Sequence, residues 1–213
     1  MRRFILIAAL AILAGTGTAF AGSTSYTAGK QYRKLSQPQP TNLPDGKIQV
    51  TEIFWYHCPH CFHFDPTLRK WVAHQPKDVV FRRVPATFGH LWALDGKVFY
   101  TEKALGVMNK MHTVIFNAIH KQNLPMRTED AYAKLFARHG IPAQKFRSAF
   151  SSFGVKSRVE RAGQYVRALG VTSVPTLVID GRYITNAEMA GSYSNVLDVA
   201  EFLINKQRKQ KGN

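Results

Sequence analysis

The sequence predicts an α/β protein in which a small mixed sheet is interrupted by an inserted block of helices. Three observations carry this. A β-branched, aromatic run ending at Tyr56 hands over to a helix and is followed by a second strand-like run. From about Phe88 to Gly170 the apolar residues then recur at the three-and-four spacing of helices. Strand character returns only at Thr176, so the sheet is split in sequence by the helical stretch.

The chain opens with Arg2 and Arg3, an apolar run from Phe4 to Ala14, and the small-residue pattern Ala19-Phe20-Ala21. The run is too short to span a bilayer as a helix. Charge, length and the A-x-A pattern together read as a secretory signal cut after Ala21, so residues 1–21 are set apart from the fold. The remainder of the chain is long enough for one domain carrying an insertion. The expected division assigns 22–87 with 171–213 to one domain and 88–170 to an inserted helical subdomain.

Behind a Pro-rich lead-in (Gln37-Pro38-Gln39-Pro40), Lys47 to Tyr56 reads as a buried strand. Pro59 suits the first turn of the next helix, whose apolar positions are Phe62, Leu68 and Trp71. Asp78 to Val84 is a second strand and completes a β-α-β unit. Val98, Leu105, Met108, His112, Ile115 and Ile119 follow helical spacing, and Gly96 and Gly106 imply more than one helix. Thr128 starts another that ends at Gly140. Pro142 starts the next, with Phe146, Phe150 and Phe153 on one side, and a further helix from Ser157 to Leu169 stops at Gly170. Thr176 to Asp180 is a strand, Asp180-Gly181 is a two-residue hairpin signal, and a last amphipathic helix carries Val196, Val199, Phe202 and Leu203.

Lysine and arginine number 29 against 13 acids, a formal charge of +16. The balance favours anionic partners. The basic residues are scattered without a nucleic-acid motif, so no nucleic acid is expected. The densest cluster, Lys206, Arg208, Lys209 and Lys211, suits a helix C-terminus facing solvent. The charge reads as a solvated face that holds the protein near anionic lipid head groups.

Both cysteines and three of the eight histidines lie in Phe54 to Phe64, "FWYHCPHCFHF". Cys58 and Cys61 share a face at the start of a helix, where their sulfurs can join in a small ring. Such a ring closes almost no loop, which weakens a purely structural role. A helix N-terminus favours the thiolate of Cys58, and a positive His60 adds to that. Cys58 is then nucleophile and leaving group, and Cys61 resolves the mixed disulfide. Stabilising the reduced thiolate makes the disulfide easier to reduce, so an exported dithiol of this kind should donate disulfides. A copper or zinc site using His57, Cys58, Cys61 and His63 is the competing reading. It lacks the distant second ligand pair usual in structural zinc sites. His57 and His63 read as polar rim residues, and His74, His90, His112, His120 and His139 form no arrangement that the sequence makes interpretable.

"EIFWYHCPHCFHF" together with "VTSVPTLVIDG" resembles the periplasmic DsbA family of thiol:disulfide oxidoreductases, and the similarity covers essentially the whole mature chain. The resemblance implies a thioredoxin-like fold with an inserted helical subdomain. It makes Cys58 the attacking cysteine, Cys61 its partner, and Pro59 and His60 the tuning dipeptide. Val174-Pro175 becomes a loop whose cis-proline faces the disulfide and whose Val174 backbone pairs with a bound peptide. Glu52 matches the family's buried acid, placed to shuttle a proton as the thiols ionise. No cofactor beyond the redox-active disulfide is implied. The implied partners are reduced or unfolded exported proteins and a quinone-linked inner-membrane protein, DsbB-like, that reoxidises a monomeric, periplasmic enzyme. Alternatives are a thioredoxin-like reductase or isomerase, the latter normally requiring a dimerisation domain for which the length leaves no room. The high positive charge is not part of what the resemblance implies.

Overall fold

A computed structural model describes residues 25–212; the expected signal segment and its cleavage after Ala21 lie outside the described residues. All seven residues of strand β2 (Ile48–Phe54) are buried, as a run of β-branched and aromatic side chains covered on both faces requires. It comes after a two-residue strand, β1 (Arg33–Lys34), and leads into helix α1 (Pro59–Ala73). Strand β3 (Val79–Pro85) then lies parallel to β2, completing the expected β-α-β unit.

Five helices intervene before the sheet resumes: α2 (His90–Leu105), α3 (Met108–His120), α4 (Glu129–Arg138), α5 (Ala143–Phe150) and α6 (Phe153–Ala168). The break between α2 and α3 falls where expected, at Gly106, whose φ of 69° closes α2 in the left-handed region. Thr128 caps α4 by accepting the Ala131 N–H. Strands β4 (Thr176–Ile179) and β5 (Tyr183–Asn186) form the expected hairpin, followed by the short α7 (Ala187–Ala190) and the long α8 (Tyr193–Lys211). Asp180 and Gly181 both take positive φ, as a type I′ turn demands. Gly181 also abuts the Gln39 carbonyl, leaving no room for a Cβ.

The sheet order is β1-β5-β4-β2-β3, with only β2 and β3 parallel. Strand alternation divides the core in two. Ile48, Val50, Leu177 and Ile179 face Phe64 and Leu68 of α1 and the apolar side of α8. Ile53, Val178 and Ile184 join Val98, Phe99, Ile115, Phe136 and Phe146 of the helical insertion. The helix α1, which carries the cysteines, is thereby clamped between sheet and insertion.

Four expectations need correction. Phe153 is 84% exposed rather than aligned with buried Phe146 and Phe150, because α5 ends at Phe150 and Ser152 caps a new helix. That helix consequently begins at Phe153, four residues before Ser157. The buried line of α1 is Cys61, Phe64, Asp65 and Leu68, with Phe62 and Trp71 only half-buried. The basic C-terminus is not merely solvated: Arg208 pairs with Asp78 at 2.6 Å, Lys211 with Asp180 at 2.9 Å, and the Lys206 ammonium lies over Tyr32 and Tyr183. These contacts fasten α8 to the edges of the sheet. The sequence signals did not reveal β1 or α7, which are too short for a periodic pattern.

Candidate active site

Cys58 occupies the N-cap of α1, and Pro59 stands at its first position with no N–H to leave unsatisfied. The Cys61 N–H donates to Cys58 Sγ at 3.4 Å, so the sulfur fills the acceptor place that serine or aspartate takes in other caps. Both cysteines are free thiols and buried, Cys58 less completely than Cys61. The Cys58 thiol is held down at about 6 from an ordinary 9.0. The largest cause is the hydrogen bond from the Cys61 thiol; burial opposes it, and the backbone N–H groups of Cys61 and His60 and the His60 charge reinforce it. Burial drives Cys61 the opposite way, well above the ordinary thiol value, and the neighbouring Cys58 adds to this. One sulfur is thus a ready thiolate and the other holds its proton.

A titration of thiolate absorbance in the reduced protein is expected to show a midpoint at about 6. Because this acid's folded value is depressed, it stabilises the reduced fold fully above the ordinary thiol range. The contribution is lost as pH falls through about 6. A midpoint near the ordinary thiol value would mean that neither the Cys61 thiol nor the helix start acts on Cys58.

The Val174–Pro175 peptide is cis. The Val174 carbonyl lies at Cys58, whose thiol donates to it at 3.5 Å. Val174 therefore lies against the reactive sulfur, with Pro175 next to it in the chain, although 116 positions separate Val174 from Cys58. His60 is exposed on the first turn of α1, within electrostatic reach of Cys58.

Glu52 is 1% exposed, and its strand partner in the parallel register is Arg83, which donates Nε–H to Glu52 Oε2 at 2.7 Å. Burial raises the Glu52 carboxyl to about 7, against the pull of Arg83 and with the help of Asp65. Its charge in turn raises the Cys61 thiol. A carboxyl poised near neutrality and coupled to a buried thiol is equipped to exchange a proton with it.

Several buried polar residues at the site escaped the sequence reading. Arg83 also donates to Asp65 Oδ1 at 2.8 Å, and His112 Nε2 lies 3.5 Å from the same oxygen. Tyr56 Oη is 2.6 Å from Glu102 Oε1 and 2.7 Å from His112 Nδ1. Burial pushes Glu102 well above the ordinary carboxylate value and His112 down to about 4, so the imidazole is a neutral member of this chain. His57 is not a rim residue: its Nδ1 is 2.7 Å from Asp95 Oδ2, and Tyr132 donates to Asp95 Oδ1 at 2.6 Å. His120 Nε2 bonds the Tyr56 carbonyl at 2.7 Å and its ring stacks on Phe62. The helical insertion thus grips the residues on either side of the cysteines. A signal existed in the sequence: Asp65, Asp95, Glu102 and His112 all interrupt otherwise apolar helix faces, and side chains there must find buried partners.

Among the described residues no three His, Cys, Asp or Glu side chains are placed to share a metal ion. Beside the motif, Trp55 stacks on Trp92 with centroids 3.7 Å apart, and the exposed Phe88 packs on Trp92. No helix among the described residues is long and apolar enough to cross a membrane.

Comparison with known proteins bears on this geometry. A family profile described as DSBA-like thioredoxin domain matches residues 93–195. The thiol:disulfide interchange protein DsbA of Pseudomonas aeruginosa is 42% identical over 208 residues, covering 98% of each chain. That of Azotobacter vinelandii is 42% identical over 215 residues, covering 98% of this chain and 99% of its own. The crystal structure of Pseudomonas aeruginosa DsbA superposes with a TM-score of 0.84 at 41% identity, covering 88% of this chain and 97% of that one. The oxidoreductase DsbA from Xylella fastidiosa gives 0.81 at 33% identity, covering 86% and 98%. The expected thioredoxin-like fold with helices set into it is therefore the observed one. With identity of this order sustained along nearly the whole of both chains, the protein belongs to the DsbA family of thiol:disulfide oxidoreductases.

Proposed function

We propose that this protein donates the Cys58–Cys61 disulfide to reduced exported polypeptides in the periplasm. The observation that carries the direction of transfer is the place of Cys58 at the start of α1, where its sulfur accepts the Cys61 N–H at 3.4 Å and is held down at about 6, which stabilises the reduced form. A substrate thiolate attacks Cys58 Sγ and forms a mixed disulfide. The Cys58–Cys61 bond breaks, its electron pair going to Cys61, which takes up a proton with Glu52 as the nearby acid. The substrate's second thiolate then attacks its own sulfur in the mixed disulfide and Cys58 leaves as the stable thiolate. The substrate has lost two electrons and the enzyme pair has gained them.

Pro59 and His60 tune the leaving sulfur, Pro59 by opening the helix and His60 by its charge. The substrate chain lies along Val174 and Pro175, its backbone pairing with Val174, and its apolar side chains meet the Trp55, Trp92 and Phe88 cluster. A quinone-linked, DsbB-like inner-membrane protein withdraws the two electrons and restores the disulfide, so no dissociable cofactor is needed. The enzyme acts as a monomer, exported by the signal cleaved after Ala21. Its thioredoxin-like domain comprises 22–87 and 171–213, with 88–170 as the inserted helical subdomain. The relatives, named as thiol:disulfide interchange proteins, support the reaction.

The test is capture. Cys61→Ser, primed as a mixed disulfide and given a peptide with a single cysteine, is expected to hold the peptide covalently on Cys58, released by reductant. Capture on Cys61 in the converse variant at an equal rate would overturn the assignment of roles.

A further inference from the structure

Away from the cysteines, a cavity of about 370 Å³ opens between the lead-in segment at Gln39, the edge strand β3 and helices α2 and α6. Arg82 of β3 and Arg158 and Arg161 of α6 line it, with Tyr100 of α2 and Tyr165 of α6. Among the described residues none of the three arginines pairs with a carboxylate. Arg82 Nε donates to Thr51 Oγ1 at 3.0 Å and its guanidinium lies 4.8 Å from the Tyr165 ring centroid. Arg161 donates to Ser157 Oγ at 2.5 Å, and both it and Arg158 are exposed. The Tyr165 hydroxyl is buried and has no hydrogen-bond partner.

Two costs are therefore left standing in one place. Three positive charges converge without an acid between them. Their joint field reaches the Tyr100 hydroxyl, where all three oppose the effect of burial, and Arg82 and Arg158 also press on Lys103. A buried hydroxyl with no partner is a second uncompensated cost, of the kind native structures retain for a reason. An oxyanion removes both at once: guanidinium forks bond such oxygens in pairs, and a phenol donates one more hydrogen bond. Donors that converge from β3, from two turns of α6 and from Tyr165 suit a tetrahedral group better than a flat carboxylate.

We propose that this cavity is a binding site for a phosphate group, held by Arg82, Arg158, Arg161 and the Tyr165 hydroxyl. Its volume accommodates a phosphate together with part of an ester substituent, so free phosphate and a phospholipid head group present the same chemistry to it. The site gives part of the protein's excess positive charge a definite place to act. It shares no residue with the disulfide exchange, and occupancy and redox chemistry are separately measurable.

The experiment titrates the purified protein with inorganic phosphate, following the unfolding temperature and the amide NMR signals of α6, with potassium chloride at matched ionic strength as the control. In parallel, co-sedimentation is measured with phosphatidylglycerol vesicles and with phosphatidylcholine vesicles. The expected result is a saturable response to phosphate beyond that of chloride, or retention on phosphatidylglycerol vesicles. Either is weakened roughly tenfold in Arg158→Gln/Arg161→Gln, the scale of losing charged hydrogen bonds, and a few-fold in Tyr165→Phe. Tyr165→Phe keeps the ring beneath Arg82 and removes only the hydroxyl. Phosphate saturation without vesicle retention identifies the free anion as the ligand; vesicle retention without phosphate saturation identifies the lipid head group. The glutathione redox equilibrium of both variants should match that of the parent, showing that they fold. The proposal is overturned if phosphate acts no differently from chloride and vesicles are not retained, or if the double variant responds like the parent.

Discussion

Replacing Cys58 with serine is expected to bring disulfide transfer down to the uncatalysed level, a loss of at least about 10³-fold on the scale of enzymatic accelerations, while leaving the fold intact. The second half of that expectation comes from the helix start. Cys58 is the N-cap of α1, where its sulfur accepts the Cys61 N–H. Serine is among the preferred residues for that position, and its smaller oxygen is the better acceptor. The variant should therefore unfold at a temperature no lower than the reduced parent at acid pH, where the parent's thiolate contribution is absent. What serine lacks is a thiolate to act as leaving group. Residual transfer above background, measured on a reduced two-cysteine peptide, would place the reactive sulfur at Cys61 instead.

Glu52→Gln should produce the second largest change, in two separable measurements. The carboxyl sits at about 7, with burial as the main cause, and is coupled to Cys61. Removing its proton should slow the step in which Cys61 gains or loses one by roughly 10²-fold, the lower range for general acid–base catalysis. The inflection near neutral pH in the rate profile should vanish with it. Stability depends on the same shift. For an acid whose folded value is raised, the folded state binds the extra proton; there is no penalty below the ordinary value of 4.5, and the penalty is complete above about 7. Across that window it amounts to about 3 kcal/mol. Denaturant unfolding of the disulfide form, in which neither cysteine titrates, should show the parent losing stability between pH 5 and 8 where Glu52→Gln does not. The glutamine leaves Arg83 its second partner, Asp65 Oδ1 at 2.8 Å. An identical pH slope in both proteins would remove Glu52 from the account.

The parts of this site that were legible in the sequence are those set by local chemistry. Pro59 after Cys58 announces a helix start, and a helix start announces an acidic first sulfur. Asp180-Gly181 announces a turn because few other pairs accept two positive φ values. Val174, Pro175 and Glu52 were reached through resemblance, and the structure places Val174 at Cys58 Sγ and Glu52 in electrostatic contact with Cys61. Illegible were partnerships between segments far apart in sequence. Nothing local joins His57 to Asp95, Tyr56 to Glu102 and His112, or Asp65 to Arg83, since each pair meets only when the chain folds back over α1. A local cap that apolar spacing does not announce decides which of two aromatic residues is buried: Phe150 lies inside and Phe153 outside because Ser152 caps a new helix and redirects the chain.

The two sulfurs are arranged to give a disulfide away, and the redox equilibrium of the protein with glutathione measures how readily they do so. Tryptophan fluorescence follows the two states, since Trp55 stands three residues before Cys58, and alkylation counts the thiols. The expected potential lies far above the value of about −270 mV typical of thioredoxin, with the reduced form the more stable at neutral pH. A thioredoxin-like potential would contradict it and make the protein a reductant.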